Sequence, residues 1–247
     1  MNLCAILFVF VMPFGLKAQN LPNEAKTGLL LGLSYGYGLP GKDMAKRFGN
    51  HFQAAINLEL IQDKYWFAGL ESGFFFGGDV KEDVIANLKN ADGDILGSNR
   101  AIAATYLRER GFQGNLYIGK LIPIGKQKGV QGIRINAGVG MIQHKVRILD
   151  EFSSLVQISQ DYIKGYDRLT RGLMLHQSIG YQQLDLRKRL NFFALFDFYQ
   201  GFTKGQRSYD YSTMQNQNGK RLDLLTDFRL GLILPFYFSQ NTKEIYY

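Results

Sequence analysis

Extended segments in which apolar residues alternate with glycines and charged residues recur about eight times along this chain. Residues 227–236 show the arrangement clearly, because successive side chains of a strand point to opposite faces. One face carries Asp227, Arg229 and Gly231. The other face is entirely apolar and is made of Phe228, Leu230, Leu232, Leu234 and Phe236. Glycines and charges make a poor soluble core, so the repeated pattern predicts a closed sheet whose apolar face is turned outward to lipid.

The remaining alternating segments have the length of strands that cross a membrane. They are residues 28–38, 51–61, 65–76, 110–120, 133–145, 172–182 and 190–202. A tilted strand needs about 10 residues to cross the hydrocarbon. The connections alternate between long ones (39–50, 77–109, 146–171 and 203–222) and shorter ones (62–64, 121–132 and 183–189). This alternation predicts an all-β, transmembrane, antiparallel up-and-down barrel of about eight strands, with long exterior loops and a lumen filled by side chains.

A secreted soluble barrel of the lipocalin kind is the alternative architecture. Its apolar face would line a cavity and its polar face would meet water. Glycines recur on the polar face here, as at positions 32 and 36. A water-facing strand has no need to lose its side chains, whereas a crowded lumen does, so the membrane barrel is favoured.

The N-terminal residues predict export. An apolar run from Leu3 to Phe14 is followed by Ala18 and Gln19, and so short a run ending in small residues is typical of a cleaved secretory signal peptide. We therefore expect residues 1–19 to be removed and residues 20–247 to form a single barrel domain. The only cysteine, Cys4, lies in the removed part, so no disulfide or thiolate chemistry is expected. No later segment has the unbroken apolar length of a membrane-spanning helix.

The spacing Arg229-x-Gly231-x-x-Leu234-x-Phe236 resembles the C-terminal barrel-assembly signal of Gram-negative outer-membrane barrels. The Ala18-Gln19 ending resembles signal peptides of the Bacteroidetes envelope. Taken whole, the mature chain resembles the small eight-stranded outer-membrane β-barrel proteins, and more narrowly their Bacteroidetes-type members. The resemblance implies an outer-membrane location and contact with the barrel-assembly machinery during insertion. It also implies a mostly non-enzymatic role, as an envelope-stabilising protein or as a barrel subunit of a machine for protein secretion or barrel assembly.

The formal net charge of +8 raises the question of anionic partners. Basic and acidic residues are mixed in the loops without an aromatic-basic platform, so nucleic acid is not an expected partner. Outer-membrane lipid and lipopolysaccharide headgroups are better candidates for attraction to positive loops. Other envelope proteins are a further class of expected partner.

Eight charged or titratable residues fall on the predicted lumenal face. Buried charges are tolerated when they are paired and hydrogen-bonded, so the simplest interpretation is a structural ion-pair network. A gated proton or ion path, and hence a narrow channel, is the alternative. The eight residues are Glu59, Glu71, Glu109, Arg134, His144, Asp197, Asp227 and Arg229.

His176 and Ser178 place an imidazole and a hydroxyl on one face of the sixth segment. A base beside a hydroxyl is what nucleophilic catalysis requires. The pair resembles the His-x-Ser pair of the lipid A deacylase barrels, which implies a lipid-modifying hydrolase as the alternative function. In the predicted register both side chains point into the lumen, whereas such a hydrolase must present them to the membrane. A histidine satisfied within the lumen is therefore the favoured interpretation.

No metal or cofactor site is expected, because the three histidines lie far apart without ligand spacing. Two apolar-rich stretches stand out in the long loops. Residues 80–88 have helical spacing and predict a short amphipathic helix that caps the barrel, with ordinary loop packing as the simpler alternative. Residues 152–163 are the second stretch, and both are candidate docking surfaces. The tail, residues 242–247, is a further candidate contact with envelope proteins.

Overall fold

The computed structural model describes residues 27–124, 131–151, 155–158, 162–184, 191–216 and 219–237. The signal-peptide prediction and the 242–247 tail lie outside these residues. The strands are β1 (Gly28–Gly41), β2 (His51–Ile61), β3 (Trp66–Gly77), β4 (Thr105–Pro123), β5 (Gln131–Asp150), β6 (Thr170–Gln183), β7 (Phe192–Gly205), β8 (Tyr209–Asp210), β9 (Gln215–Asn216) and β10 (Lys220–Tyr237). The helices are α1 (Lys42–Arg47) and the short 3₁₀ turns Asp63–Tyr65, Ala86–Leu88, Val156–Ile158 and Tyr162–Gly165.

Eight of the strands form one closed antiparallel ring in the order β1-β10-β7-β6-β5-β4-β3-β2. The ring closes where β1 pairs with β10, from Gly28 opposite Tyr237 to Gly41 opposite Leu224. The remaining two strands, β8 and β9, form a small hairpin in the last long loop. The predicted eight-stranded transmembrane antiparallel barrel is therefore confirmed. No helix among the described residues is long and apolar enough to cross a membrane.

The two faces of the barrel wall follow the alternation in the sequence. Apolar side chains are exposed on the outside of every strand, for example Leu33 on β1, Leu116 on β4 and Leu230 on β10. Such an outward apolar belt is the surface that a transmembrane barrel presents to lipid. The inward face carries glycines, amides and charged groups.

Several strands extend beyond the alternating segments. β4 begins at Thr105, inside the predicted loop 77–109, and β5 continues to Asp150, inside the predicted loop 146–171. β10 begins at Lys220, and β1 runs on to Gly41, where α1 follows directly. In these extensions the outward side chains of β4 and β5 include the charged Arg108 and Arg147 beside Tyr106 and Leu149, so the apolar alternation that marks the membrane segment is interrupted there.

The amphipathic helix predicted over residues 80–88 is wrong, because the only helical part is the 3₁₀ turn Ala86–Leu88. The start of the stretch is held extended by a β-bridge between Phe48 and Val80. The Arg47 carbonyl also accepts hydrogen bonds from the backbone amides of residues 81 and 82. Val84 and Ile85 are buried, so the alternative of ordinary loop packing describes the segment. In the second stretch, the described Leu155 and Ile158 are buried as well.

Apolar residues fill the two ends of the barrel interior. At the end closed by short turns, the cluster contains Leu30, Ile61, Phe67, Tyr117, Leu184, Phe193, Leu195 and Ile233. At the end that carries the long loops, a larger cluster joins loop residues such as Met44, Phe48, Val84 and Leu155 to wall residues such as Phe75. The lumenal charges lie between these clusters. We call the two ends the turn end and the loop end.

Candidate functional site

The ion pair between Glu59 and Arg134 occupies the turn end of the lumen. The guanidinium Nη1 and Nη2 atoms of Arg134 lie 2.8 and 2.6 Å from the two carboxylate oxygens of Glu59. The Tyr117 hydroxyl donates to Glu59 at 2.6 Å, and Arg134 donates to the Gln182 amide oxygen at 2.6 Å. The guanidinium carbon also lies 4.1 Å from the centre of the Phe67 ring. This paired geometry is the one in which a buried ion pair is tolerated.

Arg229 organises the middle of the lumen. Its Nε and Nη2 atoms lie 2.7 and 2.8 Å from the two carboxylate oxygens of Asp197, and its Nη1 lies 2.9 Å from a carboxylate oxygen of Glu71. His176 shares Asp197, with its Nε2 at 2.7 Å, and stacks on the Tyr199 ring. The side chain of Arg229 thus ties three strands, β3, β7 and β10, across the lumen.

Nearer the loop end, two carboxylates and an imidazole lie close together. His51 Nε2 is 3.4 Å from a carboxylate oxygen of Asp227. Glu109 is fully buried, and neither of its carboxylate oxygens has a hydrogen-bond partner in the described part of the chain. Two neighbouring amides, Gln53 and Gln113, are likewise buried without partners. Buried polar groups of this kind are often satisfied by internal water.

Asp223 connects the lumen to the loops above it. Its carboxylate lies 2.9 Å from His144 Nε2 and accepts a hydrogen bond from the Thr203 hydroxyl. Arg221 donates to Asp223 at 3.1 Å and to the backbone carbonyl of Asp43 at 2.7 Å.

Helix α1 lies across the ladder that closes the ring. The Asp43 carboxylate accepts a hydrogen bond from the Leu222 backbone amide at 3.0 Å, and Lys42 forms a β-bridge with Asp223. The Lys46 ammonium donates to Asp43 at 2.8 Å, and this hydrogen bond lowers the pKa of the Asp43 carboxyl. The helix therefore joins the loop after β1 to the first residues of β10.

All four long loops meet in a set of ion pairs that we call the loop cap. Arg47 of α1 donates to Glu82 at 2.8 Å and to the Thr170 hydroxyl at 2.9 Å. Arg168 lies 3.1 Å from the other Glu82 oxygen and pairs with Asp210 at 2.5 Å. The loops after β1, β3, β5 and β7 are therefore held together through one chain of alternating charges: Arg47, Glu82, Arg168 and Asp210.

Two members of the loop cap are buried, which distinguishes this set of ion pairs from salt bridges at the protein surface. Arg47 and Asp210 are almost completely buried, and burial lowers the pKa of Arg47. Arg207 adds a two-point pair to Asp167 at 2.9 and 2.6 Å, and these hydrogen bonds raise the pKa of Arg207. Removing one member of such a set leaves a buried charge uncompensated. The cap closes the loop end as a single packed layer.

Large apolar side chains remain exposed on the outside of the loop cap. Leu96 and Ile102 form a β-bridge in the loop after β3, and both are more than half exposed. Val156 in the loop after β5 and Met214 in the loop after β7 are exposed to a similar degree. Exposed apolar groups held by a fixed scaffold can mark an interaction surface.

The structure places all eight predicted lumenal residues inside the barrel. It brings Glu59 to Arg134, and both Glu71 and Asp197 to Arg229. The remaining three, His144, Asp227 and Glu109, lie towards the loop end. His144 and Asp227 have partners there that the sequence interpretation missed, Asp223 and His51, whereas the Glu109 carboxylate has no hydrogen-bond partner among the described residues. His51 is the first residue of the predicted segment 51–61 and shares the inward register of Glu59. Asp223 continues the inward register of residues 227–231, so extending that alternation by four residues would have found it. The ion pairs of the loop cap had no comparable pattern in the sequence, because loops lack the alternation of a strand.

His176 and Ser178 both point into the lumen and are almost completely buried. His176 is engaged by Asp197, which stands directly opposite Ser178 on β7. The Ser178 hydroxyl has no hydrogen-bond partner among the described residues, so the base–nucleophile contact is not formed. The three residues therefore do not present a reactive group to the membrane.

The predicted assembly-signal residues have separate places in the barrel. Arg229 is the lumenal ion-pair centre, and Gly231 faces the ring of Phe193, whose Cζ lies 2.2 Å from where a Cβ would stand. Leu234 and Phe236 are exposed on the lipid-facing side. The described residues contain no group of histidine, cysteine or acidic side chains arranged to hold a metal ion.

No protein-family model matches the chain, and no curated protein sequence matches it either. Among solved structures it is similar to Neisserial surface protein A, with 7% identity over 87% of this chain and 100% of that chain, and a TM-score of 0.48. It is also similar to Ail, the attachment invasion locus protein of Yersinia pestis, with 8% identity over 85% and 100% of the two chains and a TM-score of 0.45. The outer membrane protein OprG from Pseudomonas aeruginosa matches with 12% identity over 86% and 97%, and a TM-score of 0.33. Likenesses this distant carry no information about activity or partners.

Proposed function

We propose that this chain is a non-enzymatic β-barrel protein of a Gram-negative outer membrane, of the Bacteroidetes type, whose loop cap is a contact surface for another envelope protein. The observation that carries the proposal is the chain of alternating charges from Arg47 to Asp210, which links all four long loops. A pre-organised surface loses little conformational entropy on binding, which favours recognition.

The lumen supports a structural rather than a catalytic or conducting role. Its charges are largely engaged with one another, and apolar clusters fill both ends. A hydrolase needs an accessible nucleophile, and Ser178 is buried inside the wall. A subunit of a machine for protein secretion or barrel assembly fits a barrel of this kind, since such a subunit acts through its surfaces.

The test is purification of the tagged protein from outer membranes in mild detergent, with mass spectrometry of the proteins that accompany it. We expect a stoichiometric companion from the envelope. Replacing Leu96→Ser and Ile102→Ser together should release that companion while the barrel stays folded. The matched control is Ile124→Ser, because Ile124 is an exposed aliphatic residue at the turn end.

Two outcomes would contradict the proposal. A barrel that purifies alone from outer membranes would remove the role as a contact surface, and recovery only in the soluble fraction would remove the membrane location. For the enzymatic alternative, the lipid A of a deletion strain is compared with that of strains expressing the wild type or Ser178→Ala. A lipid A change that the wild type reverses and Ser178→Ala does not would overturn the non-enzymatic assignment.

A further inference from the structure

Basic side chains line the outside of the barrel wall near the loop end, above the apolar belt. They lie on β4, β5, β6, β7 and β10, which are consecutive in the ring. Six are exposed and one, Arg110, is half-buried. Together they form what we call the basic sector: Arg108, Arg110, Lys145, Arg147, Arg171, Lys204 and Lys220.

The register of the sheet places these charges side by side. Arg110 is directly opposite Lys145, and Arg108 is directly opposite Arg147. On the neighbouring strands, Lys204 is opposite both Arg171 and Lys220. Like charges that face each other across a ladder destabilise a sheet.

No carboxylate of the described residues lies within ion-pair distance of the basic sector. Other exposed cations of the loops do have acidic partners, as Lys46 has Asp43 and Lys89 has Asp83. The sector thus concentrates positive charge that forms no ion pair within the described part of the chain. An external anion is what would compensate it.

The strands on the other side of the barrel carry different outward side chains at the level of the basic sector. There most outward residues of β1, β2 and β3 near the loop end are aromatic, namely Tyr35, Tyr37, Phe52, Phe74 and Phe76. Aromatic residues form the usual girdle at a membrane interface. The basic sector is consequently a one-sided feature rather than a general property of this interface.

An apolar groove lies in the outer wall immediately below the basic sector. It has a volume of about 520 Å³ and is lined by Phe112, Leu116, Val139 and Met141, with Arg171 at its upper end. The groove exists because Gly114, which faces outward beside Met141, has no side chain to fill it. A Cβ at Gly114 would meet no atom closer than 3.7 Å.

We propose that the basic sector and this groove bind a phosphate-bearing acyl lipid of the outer leaflet, with the phosphate at the cations and an acyl chain in the groove. Guanidinium groups match phosphate oxygens with two parallel hydrogen bonds, and the groove offers apolar contact where a chain would descend. This inference rests on the proposed membrane location and adds a specific lipid to it. An acidic protein would account for the cations but not for a groove that opens into the lipid-facing belt.

The experiment is native mass spectrometry of the full-length barrel in detergent with phosphorylated lipid A, compared with the same glycolipid after removal of its phosphates. The wild type should retain the phosphorylated form about tenfold better, because one charge-assisted hydrogen bond corresponds to about that factor. Arg110→Gln combined with Lys145→Gln should abolish the preference. Lys120→Gln, an exposed outward cation at the turn end, should leave it unchanged.

Gly114→Leu tests the groove separately. It should weaken retention of the acylated lipid several-fold while leaving the binding of inorganic phosphate unchanged. A heat-dependent gel shift shows whether each variant is folded, and loss of like-charge repulsion favours folding of the double variant. Equal retention of both glycolipids by the folded wild type would overturn the proposal, and so would an unchanged preference in the double variant. Because both results require a folded barrel in detergent, they leave the proposed membrane location standing.

Discussion

Asp197 and Asp227 are direct cross-strand partners on β7 and β10, and both carboxylates point into the lumen. Like charges in this position destabilise a sheet unless they are countered. Arg229, two residues beyond Asp227, binds both oxygens of Asp197, and His51 of β2 approaches Asp227 from the far side of β1. The two acids are therefore contacted by basic side chains from different strands, Arg229 of β10 and His51 of β2, which couples their arrangement to closure of the ring.

Arg229→Met should strongly destabilise the barrel, because it leaves Asp197 and Glu71 buried without their main cation. We expect a loss of about 3–5 kcal/mol in the free energy of unfolding. Urea titration of the protein in lipid vesicles measures it. Arg171→Met on the outer wall is the matched control and should change the free energy little. Equal effects of the two variants would contradict the assignment of Arg229 as the lumenal centre.

Two glycines of β4 face opposite sides of the wall: Gly111 faces the lumen and Gly114 faces outward. A Cβ at Gly111 would lie 1.9 Å from Cζ of the buried Phe75, whereas the nearest atom at Gly114 is 3.7 Å away. Gly111→Ala should cost about 1–3 kcal/mol through overpacking. Gly114→Ala should be neutral or stabilising by up to about 1 kcal/mol, since glycine weakens a strand. The same urea titration compares them, and the reverse order of stability would exclude this packing.

Arg168→Met should loosen the loop cap, since Glu82 and Asp210 both lose a cation. We expect proteinase K to cut the loops at least about tenfold faster, because local opening free energy sets cleavage when opening is fast. The protected barrel strands should remain uncut. Arg100→Met is the control, as Arg100 is exposed in the same loop system and forms no ion pair in the part of the chain described. A cleavage rate for Arg168→Met equal to that of the control would contradict the interlocked cap.

The contact between Asp43 and Leu222 should respond to pH. The folded-state pKa of Asp43 is lowered, so this carboxylate contributes stability that is present above the unfolded value of about 4 and is lost as pH falls below it. The amide proton resonance of Leu222 should therefore shift with a midpoint below pH 4 in nuclear magnetic resonance spectra. Asp43→Asn should abolish the shift. A midpoint above pH 4 would mean that folding raises the pKa of Asp43, and it would contradict this prediction.

The wild-type barrel should show no conductance steps in planar bilayers. Arg134 and Arg229 bridge the lumen with their carboxylate partners, and apolar clusters close both ends. A porin reconstituted in the same bilayers is the positive control. Reproducible steps from the purified barrel would restore the channel alternative.

The barrel itself could be predicted because each lumenal strand face is marked by glycines and charges opposite an apolar face. The strand ends could not be predicted, since Arg108 and Arg147 point outward and weaken the apolar contrast beyond the predicted membrane segments. The position of Glu59 on the lumenal face was also readable. The lumenal position of Arg134 was readable as well, but its pairing with Glu59 was not, because the two residues lie on β2 and β5 and meet only across the curved interior. The ion pairs of Arg168 depend on loop conformations that have no periodic signature.

Helix α1 also changes what the closing ladder between β1 and β10 can do. In a barrel threaded strand by strand, this ladder joins the first strand to the last and is the natural place for the wall to part sideways. Asp43 and Lys42 fasten the loop after β1 onto the start of β10. Separation of β1 from β10 at the loop end therefore requires the contacts of α1 with β10 to break first. The helix thus opposes lateral opening of the barrel wall at this ladder.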